Sequence, residues 1–213
     1  MSPPARDYLV PQMSEQEYLD TEPYADVKRE YIDGNVYAMS GAKASHNRIT
    51  ANVSGSFWSH LKGRSCQSYA SEMKVKVGKN YFYPDVLVDC TNLPDSSVFT
   101  ESPVIIVEVL SRSTRRMDET TKRVAYIQLD SLQEYVLIEQ DFVKVDVLRR
   151  SGDWFPEHYY LGDAVTFDSI GLTLQVEEFY DRVQNEDMVE WLAKKEREAA
   201  AAVEGIAPSM PQP

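Results

Sequence analysis

The stretch Pro103-Val104-Ile105-Ile106-Val107-Glu108-Val109-Leu110 decides the architecture. Four consecutive apolar residues, Val104 to Val107, leave no polar face, so the segment reads as a central strand buried on both sides. A carboxylate inside such a run is out of place, and it has a counterpart. Asp85 stands 23 positions earlier in Tyr83-Pro84-Asp85-Val86-Leu87-Val88, again inside an otherwise apolar strand. A buried, unpaired carboxylate is costly and takes up a proton or a partner. If the two strands are neighbours and the acids lie ~5 Å apart, their repulsion at an effective dielectric of ~20 is roughly 3 kcal/mol. A divalent cation between them relieves that repulsion. Taken singly, each acid also has an ordinary reading, a turn aspartate after Pro84 and a salt-bridged strand glutamate; their joint context favours the cation.

The segment after this strand is expected to be helical between about Thr114 and Leu129. Asp118, Lys122 and Tyr126 are spaced four apart and share one face of it. Two readings of Lys122 follow. One is a surface ion pair with Asp118, worth a few tenths of a kcal/mol; the other points its ammonium at the acids, where it would meet charge on a phosphate. Upstream, Ser14 and Glu17 form a capping box that opens a short helix ending before Pro23. Asp33-Gly34-Asn35, between Glu30-Tyr31-Ile32 and Val36-Tyr37-Ala38-Met39, signals a hairpin. Ile49, Val53, Phe57 and Leu61 recur every four positions and predict an amphipathic helix over 45–61 with His46 in its first turn. Strands are expected at 74–77, 81–90, 134–139 and 143–149, the last two as a hairpin, with shorter ones over 154–174 and a helix starting at Val176. Helices alternating with strands in this order predict an α/β fold, a mixed sheet covered by helices.

The chain has 213 residues, 43% of them hydrophobic, so one sizeable core is within reach and bulk disorder is not expected. No apolar run approaches the roughly 20 residues that cross a bilayer, and the first ten residues do not resemble a secretory signal. The expected organisation is a loose leader over 1–13, one domain over 14–183, and a tail over 184–213 that is helical and then disordered. Cys66 and Cys90 lie in separate segments. A disulfide between them is open, but a reduced, cytoplasmic protein is the simpler reading. The net charge of −12 argues against a general polyanion binder. Any nucleic-acid chemistry must then rest on a bound cation or a local basic patch, and Arg112, Arg115, Arg116, Lys122 and Arg123 supply a candidate patch.

Pro84-Asp85, the run Pro103 to Thr114, and Asp118, Lys122, Tyr126 and Glu134-Tyr135 together resemble the Uma-type restriction endonuclease family of the PD-(D/E)XK nuclease superfamily. Glu30-Tyr31-Ile32-Asp33-Gly34 and His46 resemble its N-terminal segments, and the likeness covers about Ser14 to Tyr180. It implies a restriction-endonuclease-like fold, a Mg²⁺ or Mn²⁺ cofactor, nucleic acid (DNA) as substrate and a homodimer. On this likeness Asp85 is the superfamily aspartate and Glu108 its second acid. The superfamily lysine would fall at position 110, which is Leu110, so Lys122 on the following helix is the candidate for its role. Glu30 has two readings, an N-terminal acid near the metal or a strand-edge surface residue. His46 likewise reads as a base or water-orienting group, or as a structural histidine. Ser111, Ser113 and Thr114 are expected to shape the loop and cap the helix. The rival function is a non-catalytic binding or assembly module on the same fold, its carboxylates held by Lys or Arg.

Overall fold

The computed structural model describes residues 12–206. Most of the expected leader, with Pro3, Pro4 and Pro11, and the expected disorder over 208–213 lie outside the described residues.

Ser14 caps helix α1 (Glu15–Thr21) through the reciprocal Ser14–Glu17 box. Strands β1 (Arg29–Ile32) and β2 (Asn35–Ala38) follow as a hairpin with Ile32 opposite Asn35. Its turn is Asp33-Gly34, at φ of 49° and 82°. Both angles lie in the left-handed region, which a two-residue hairpin turn requires and which Gly and Asp tolerate. Helix α2 (Ala44–Leu61) buries Ile49, Val53, Phe57 and Leu61, the expected stripe. Strands β3 (Gln67–Ala70), β4 (Lys74–Val77), β5 (Asn80–Phe82) and β6 (Val86–Asp89) come next. After the short β7 (Phe99–Thr100), the quoted segment forms β8 (Pro103–Leu110), buried at all but one position.

The sequence predicts one strand over 81–90; the structure has two. Pro84 has no N–H for a ladder, and the chain breaks at Tyr83-Pro84-Asp85. As a result β5 and β6 join different sheets. One has five strands in the order β2-β1-β5-β4-β7. The other has six in the order β11-β10-β9-β8-β6-β3, with β9 (Glu134–Glu139), β10 (Val145–Arg149) and β11 (Pro156–Tyr159) completing it. A two-stranded ribbon, β12 (Ala164–Phe167) with β13 (Leu172–Gln175), leads into the short α5 (Val176–Phe179). The tail forms α6 (Glu186–Ile206). Among the described residues no helix is long and apolar enough to cross a membrane.

The six-stranded sheet has two different faces. On one, Ile105, Val107 and Val109 of β8 pack with the α2 stripe, the β12–β13 ribbon and Phe179. On the other, Ile106 and Leu110 meet Phe82, Val75 and Val77 of the five-stranded sheet, together with Tyr126 and Tyr135. Side chains alternate along a strand, so Glu108 falls on this second face. Full burial of each large apolar side chain is worth about 1.5–3 kcal/mol, which holds the two sheets and α2 in place around the acid.

The cysteines correct the reduced reading: Cys66 and Cys90 form a disulfide with Cα atoms 3.9 Å apart. Antiparallel pairing puts Gln67 opposite Asp89, so the residues just outside that pair face each other despite 24 intervening steps of chain.

Candidate active site

β6 and β8 are antiparallel neighbours with Val86 opposite Val107. One step further along that register puts Asp85 beside Glu108. The break at Pro84 leaves Asp85 outside the ladder, and its Oδ2 accepts a 2.7 Å hydrogen bond from the Val109 amide. His46 reaches the same oxygen with Nε2 at 3.3 Å from the first turn of α2. The strand acids and the histidine are thus brought together by three different elements.

Behind them lies a buried ionic cluster. The helical segment after β8 runs as α3 (Arg115–Met117), a π-helical turn (Asp118–Lys122) and α4 (Arg123–Tyr126). π-turns in helices recur at functional sites, and here the turn carries Asp118 and Lys122 inward. Tyr135 anchors it by donating to the Asp118 carbonyl at 2.9 Å. Lys122 Nζ contacts Glu30 Oε1 at 2.9 Å, Glu108 Oε1 at 3.1 Å and Asp118 Oδ1 at 3.2 Å. Its side chain is 5% exposed, so the wet-surface ion pair is excluded. Tyr126, fully buried, donates from its hydroxyl to Glu108 Oε1 at 3.1 Å. Glu30 is buried too, against the surface reading, and its Oε1 accepts from the Tyr83 amide at 3.0 Å.

Four carboxylates, Glu30, Asp85, Glu108 and Asp118, therefore gather around one lysine and one histidine. Glu108 and Asp118 titrate in keeping with that imbalance. Burial pushes Glu108 well above the usual carboxylate range; Lys122 opposes this, while Asp118, Asp85 and Glu30 add to it. Asp118 is raised to about 6, again by burial first, with Lys122 opposing. Burial works against the charge on Lys122, yet the facing acids, Glu108 and Glu30 foremost, hold it well above its ordinary value. For His46 burial likewise disfavours the charged form, but the hydrogen bond and charge of Asp85 prevail and raise it. His46 Nδ1 and Asp118 Oδ1 are buried without a hydrogen bond among the described residues.

These features bear on a metal. Among the described residues no group of three or more ligating side chains is arranged to hold an ion unaided. Asp85 and Glu108 offer two hard oxygen ligands; among the described residues the side-chain hydrogen bonds fall on Oδ2 of one and Oε1 of the other. That set fits Mg²⁺ or Mn²⁺, since Mg²⁺ commonly takes one or two carboxylates and keeps several waters.

The basic patch is thinner than its sequence suggests. Arg115 is paired with Glu139 and Arg123 donates to the Trp154 carbonyl. Lys122 is surrounded by acids, while Arg112 is exposed and 3.5 Å from Asp141. Ser111 bonds Ser113 and Thr114 within the loop, but Thr114 makes no side-chain cap to the helix. Asp118 is the member of the cluster that sequence reading missed. Its spacing to Lys122 was visible, but the π-turn that buries the pair was not.

The topology, with an acid at the end of one central strand and another inside its neighbour, is that of restriction-endonuclease-like proteins. It superposes with a TM-score of 0.68 on the crystal structure of a protein of Anabaena variabilis described as "a putative nuclease belonging to DUF820"; the two are 19% identical, over 81% of this chain and 99% of that one. Residues 15–177 match the Uma2 family, described as "Putative restriction endonuclease", and the chain belongs to that family. Two relatives from Synechocystis are similar over most of their length. The uncharacterized protein slr1290 is 35% identical over 175 residues, 80% of this chain and 92% of its own. The uncharacterized protein sll1609 is 34% identical over 142 residues, 64% of this chain and 80% of its own.

Proposed function

We propose that this protein is a metal-dependent endonuclease that hydrolyses phosphodiester bonds of nucleic acid, with DNA as the substrate. One observation carries the reading: three carboxylates already meet one buried ammonium, and a fourth, Asp85, stands beside one of them, Glu108, on the neighbouring strand's end. Such an acid excess calls for a cation.

Asp85 and Glu108 would hold Mg²⁺ or Mn²⁺. When bound, the ion polarises a phosphate oxygen and acidifies its water. The protein's own groups do the rest. Lys122 would set its positive charge against the negative charge that develops on the reacting phosphate. Glu30 and Asp118 position that lysine, Tyr126 orients Glu108, and His46 fixes Asp85 through Oδ2. Residues 14–183 form the nuclease unit. The protein works in the cytoplasm as a homodimer, with exposed Phe155 and Tyr160 as contact candidates.

A second reading, a binding module that keeps the fold, draws on Lys122 itself, which already engages three of the four acids. One assay separates the two: incubation with single- and double-stranded DNA and with RNA, in Mg²⁺, in Mn²⁺ and in chelator. Metal-dependent cleavage of DNA is expected. No cleavage of any substrate in either metal supports the binding module.

A further inference from the structure

Beside this cluster lies a cavity of about 690 Å³ that the mechanism above does not use, lined by Lys28, Lys74, Tyr69, Met73 and Tyr83 among others. Lys74 opens β4 and is 6% exposed. Its Nζ contacts the Tyr83 hydroxyl at 3.3 Å, and among the described residues no carboxylate comes within 4.0 Å of it. The other buried cations differ: Lys122 has three acids in contact and Arg149 is paired with Glu157 at 2.7 Å. A desolvated ammonium without a counter-ion is unfavourable, and burial lowers the affinity of Lys74 for its proton although Glu22 and Glu72 pull the other way.

The second cation of the cavity is Lys28. Its Nζ donates to the Ser71 carbonyl at 2.9 Å and to Glu72 at 2.8 Å. Both ammonium groups stand over the ring of Tyr83, at 5.6 Å for Lys28 and 5.1 Å for Lys74. Two acids also line the cavity: Glu72 is taken by Lys28, and Glu22 is satisfied by the Arg29 amide and guanidinium and by the Tyr83 hydroxyl. Among the described residues the Lys74 ammonium is therefore the charge in the pocket left without an ionic partner.

Two short connections tie the pocket to the candidate active site. The Tyr83 amide is held by Glu30, which also contacts Lys122, so the site and the Lys74 ammonium lie one tyrosine apart. Ser71, whose carbonyl holds Lys28, donates its amide to the Asp85 carbonyl at 3.0 Å.

We infer that this pocket is a phosphate subsite, in which Lys74 and Lys28 take a non-scissile phosphate of the nucleic-acid strand whose neighbouring phosphodiester lies at Asp85 and Glu108. The inference rests on the nuclease reading for the identity of the strand, but not for the binding of the anion. It explains why an acidic chain keeps a buried, unpaired lysine: charge is placed where a phosphate docks, while the net field stays negative. The stem of Lys74 is buried, so Lys74→Met keeps the packing and removes only the charge.

The test uses the full chain in metal-free buffer, titrated with a 5′-phosphorylated thymidine dinucleotide, with the backbone amides of Lys74 and Tyr83 followed by NMR. Those two signals shift in the wild type and binding saturates. Lys74→Met melts no lower than wild type but binds about tenfold to a hundredfold more weakly, as expected for loss of a charged hydrogen bond. Lys74→Arg retains binding and guards against a methionine variant that fails to fold. Equal affinity of the wild type and Lys74→Met, or wild-type shifts that bypass Lys74 and Tyr83, would overturn the subsite. Cleavage of DNA is measured in parallel. A chain that binds the dinucleotide at Lys74 but cuts nothing keeps the subsite and loses the nuclease reading. A chain that cuts equally well with Lys74→Met, at unchanged KM and dinucleotide affinity, keeps the nuclease reading and loses the subsite.

Discussion

Two buried ionic clusters sit on adjacent parallel strands, β8 and β9, and only one of them is balanced. Around Arg149, Glu157 and the Tyr159 hydroxyl meet Nη1 at 2.7 and 3.2 Å, and the Thr166 carbonyl accepts from Nη2 at 2.8 Å. Glu134, in the same network, accepts from the Asp168 amide at 2.9 Å and from Ser169, with Arg149 Nε at 3.8 Å. Asp168 Oδ2 also lies 4.0 Å from Nε, but Glu157 and Asp168 are exposed, so of these three acids only Glu134 is buried and it stays near one cation. Around Lys122 three acids share one ammonium, and a fourth, Asp85, meets His46; among the described residues buried atoms on His46 and Asp118 lack a hydrogen bond, as Arg149 Nε does in the first cluster. Burial raises Glu134 as it raises Glu108, but Ser169, Asp168 and Arg149 all pull Glu134 back, whereas three further acids push Glu108 up. The first cluster holds the β12–β13 ribbon to the sheet. The second has the charge pattern of a site that expects another cation.

Substitutions in the two clusters should therefore behave differently. Asp85→Ala and Glu108→Ala are each expected to reduce metal-dependent cleavage to background while the domain stays folded, because each removes a ligand and also relieves repulsion. Wild-type-like rates for both would unseat the site. Arg149→Met should do the reverse. Removing the partner of a buried acid costs about 3 kcal/mol of stability, read by chemical denaturation, with turnover of the remaining folded protein unchanged. Lys122→Ala lies between the two. Turnover should fall about a hundredfold if the ammonium acts mainly in the transition state, while cation affinity is kept or tightened because the positive competitor is gone. An unchanged rate would remove Lys122 from the mechanism.

Much of the fold and of the candidate site was legible in sequence, and the rest, the Arg149 network included, was hidden for identifiable reasons. Glu108 stood out because Val104 to Val107 allow no exposed face, and the α2 stripe and the Asp33-Gly34 turn follow from local rules that tertiary contacts did not override. The partition into two sheets was not legible. Tyr81 to Cys90 reads as continuous strand, and only Pro84 hints that the chain leaves one sheet for another there. Strands β3 and β7 escaped notice because Gln67 to Ala70 and Phe99-Thr100 are too short or too polar to show a period. The Cys66–Cys90 bridge depends on strand register, which spacing does not reveal. Ideal four-residue periodicity placed Asp118 and Lys122 together and left open whether the pair faces water or the strand acids. The π-turn shifts that face inward, and no local signal announces it.

The most direct test of the acid excess is a calorimetric titration of the metal-free protein with Mn²⁺, run on the wild type, Glu108→Ala and Arg149→Met. One site per chain in the wild type and in Arg149→Met, lost in Glu108→Ala, is the expected result. A wild type that binds no Mn²⁺, or a Glu108→Ala variant that binds it with wild-type affinity, would contradict the account.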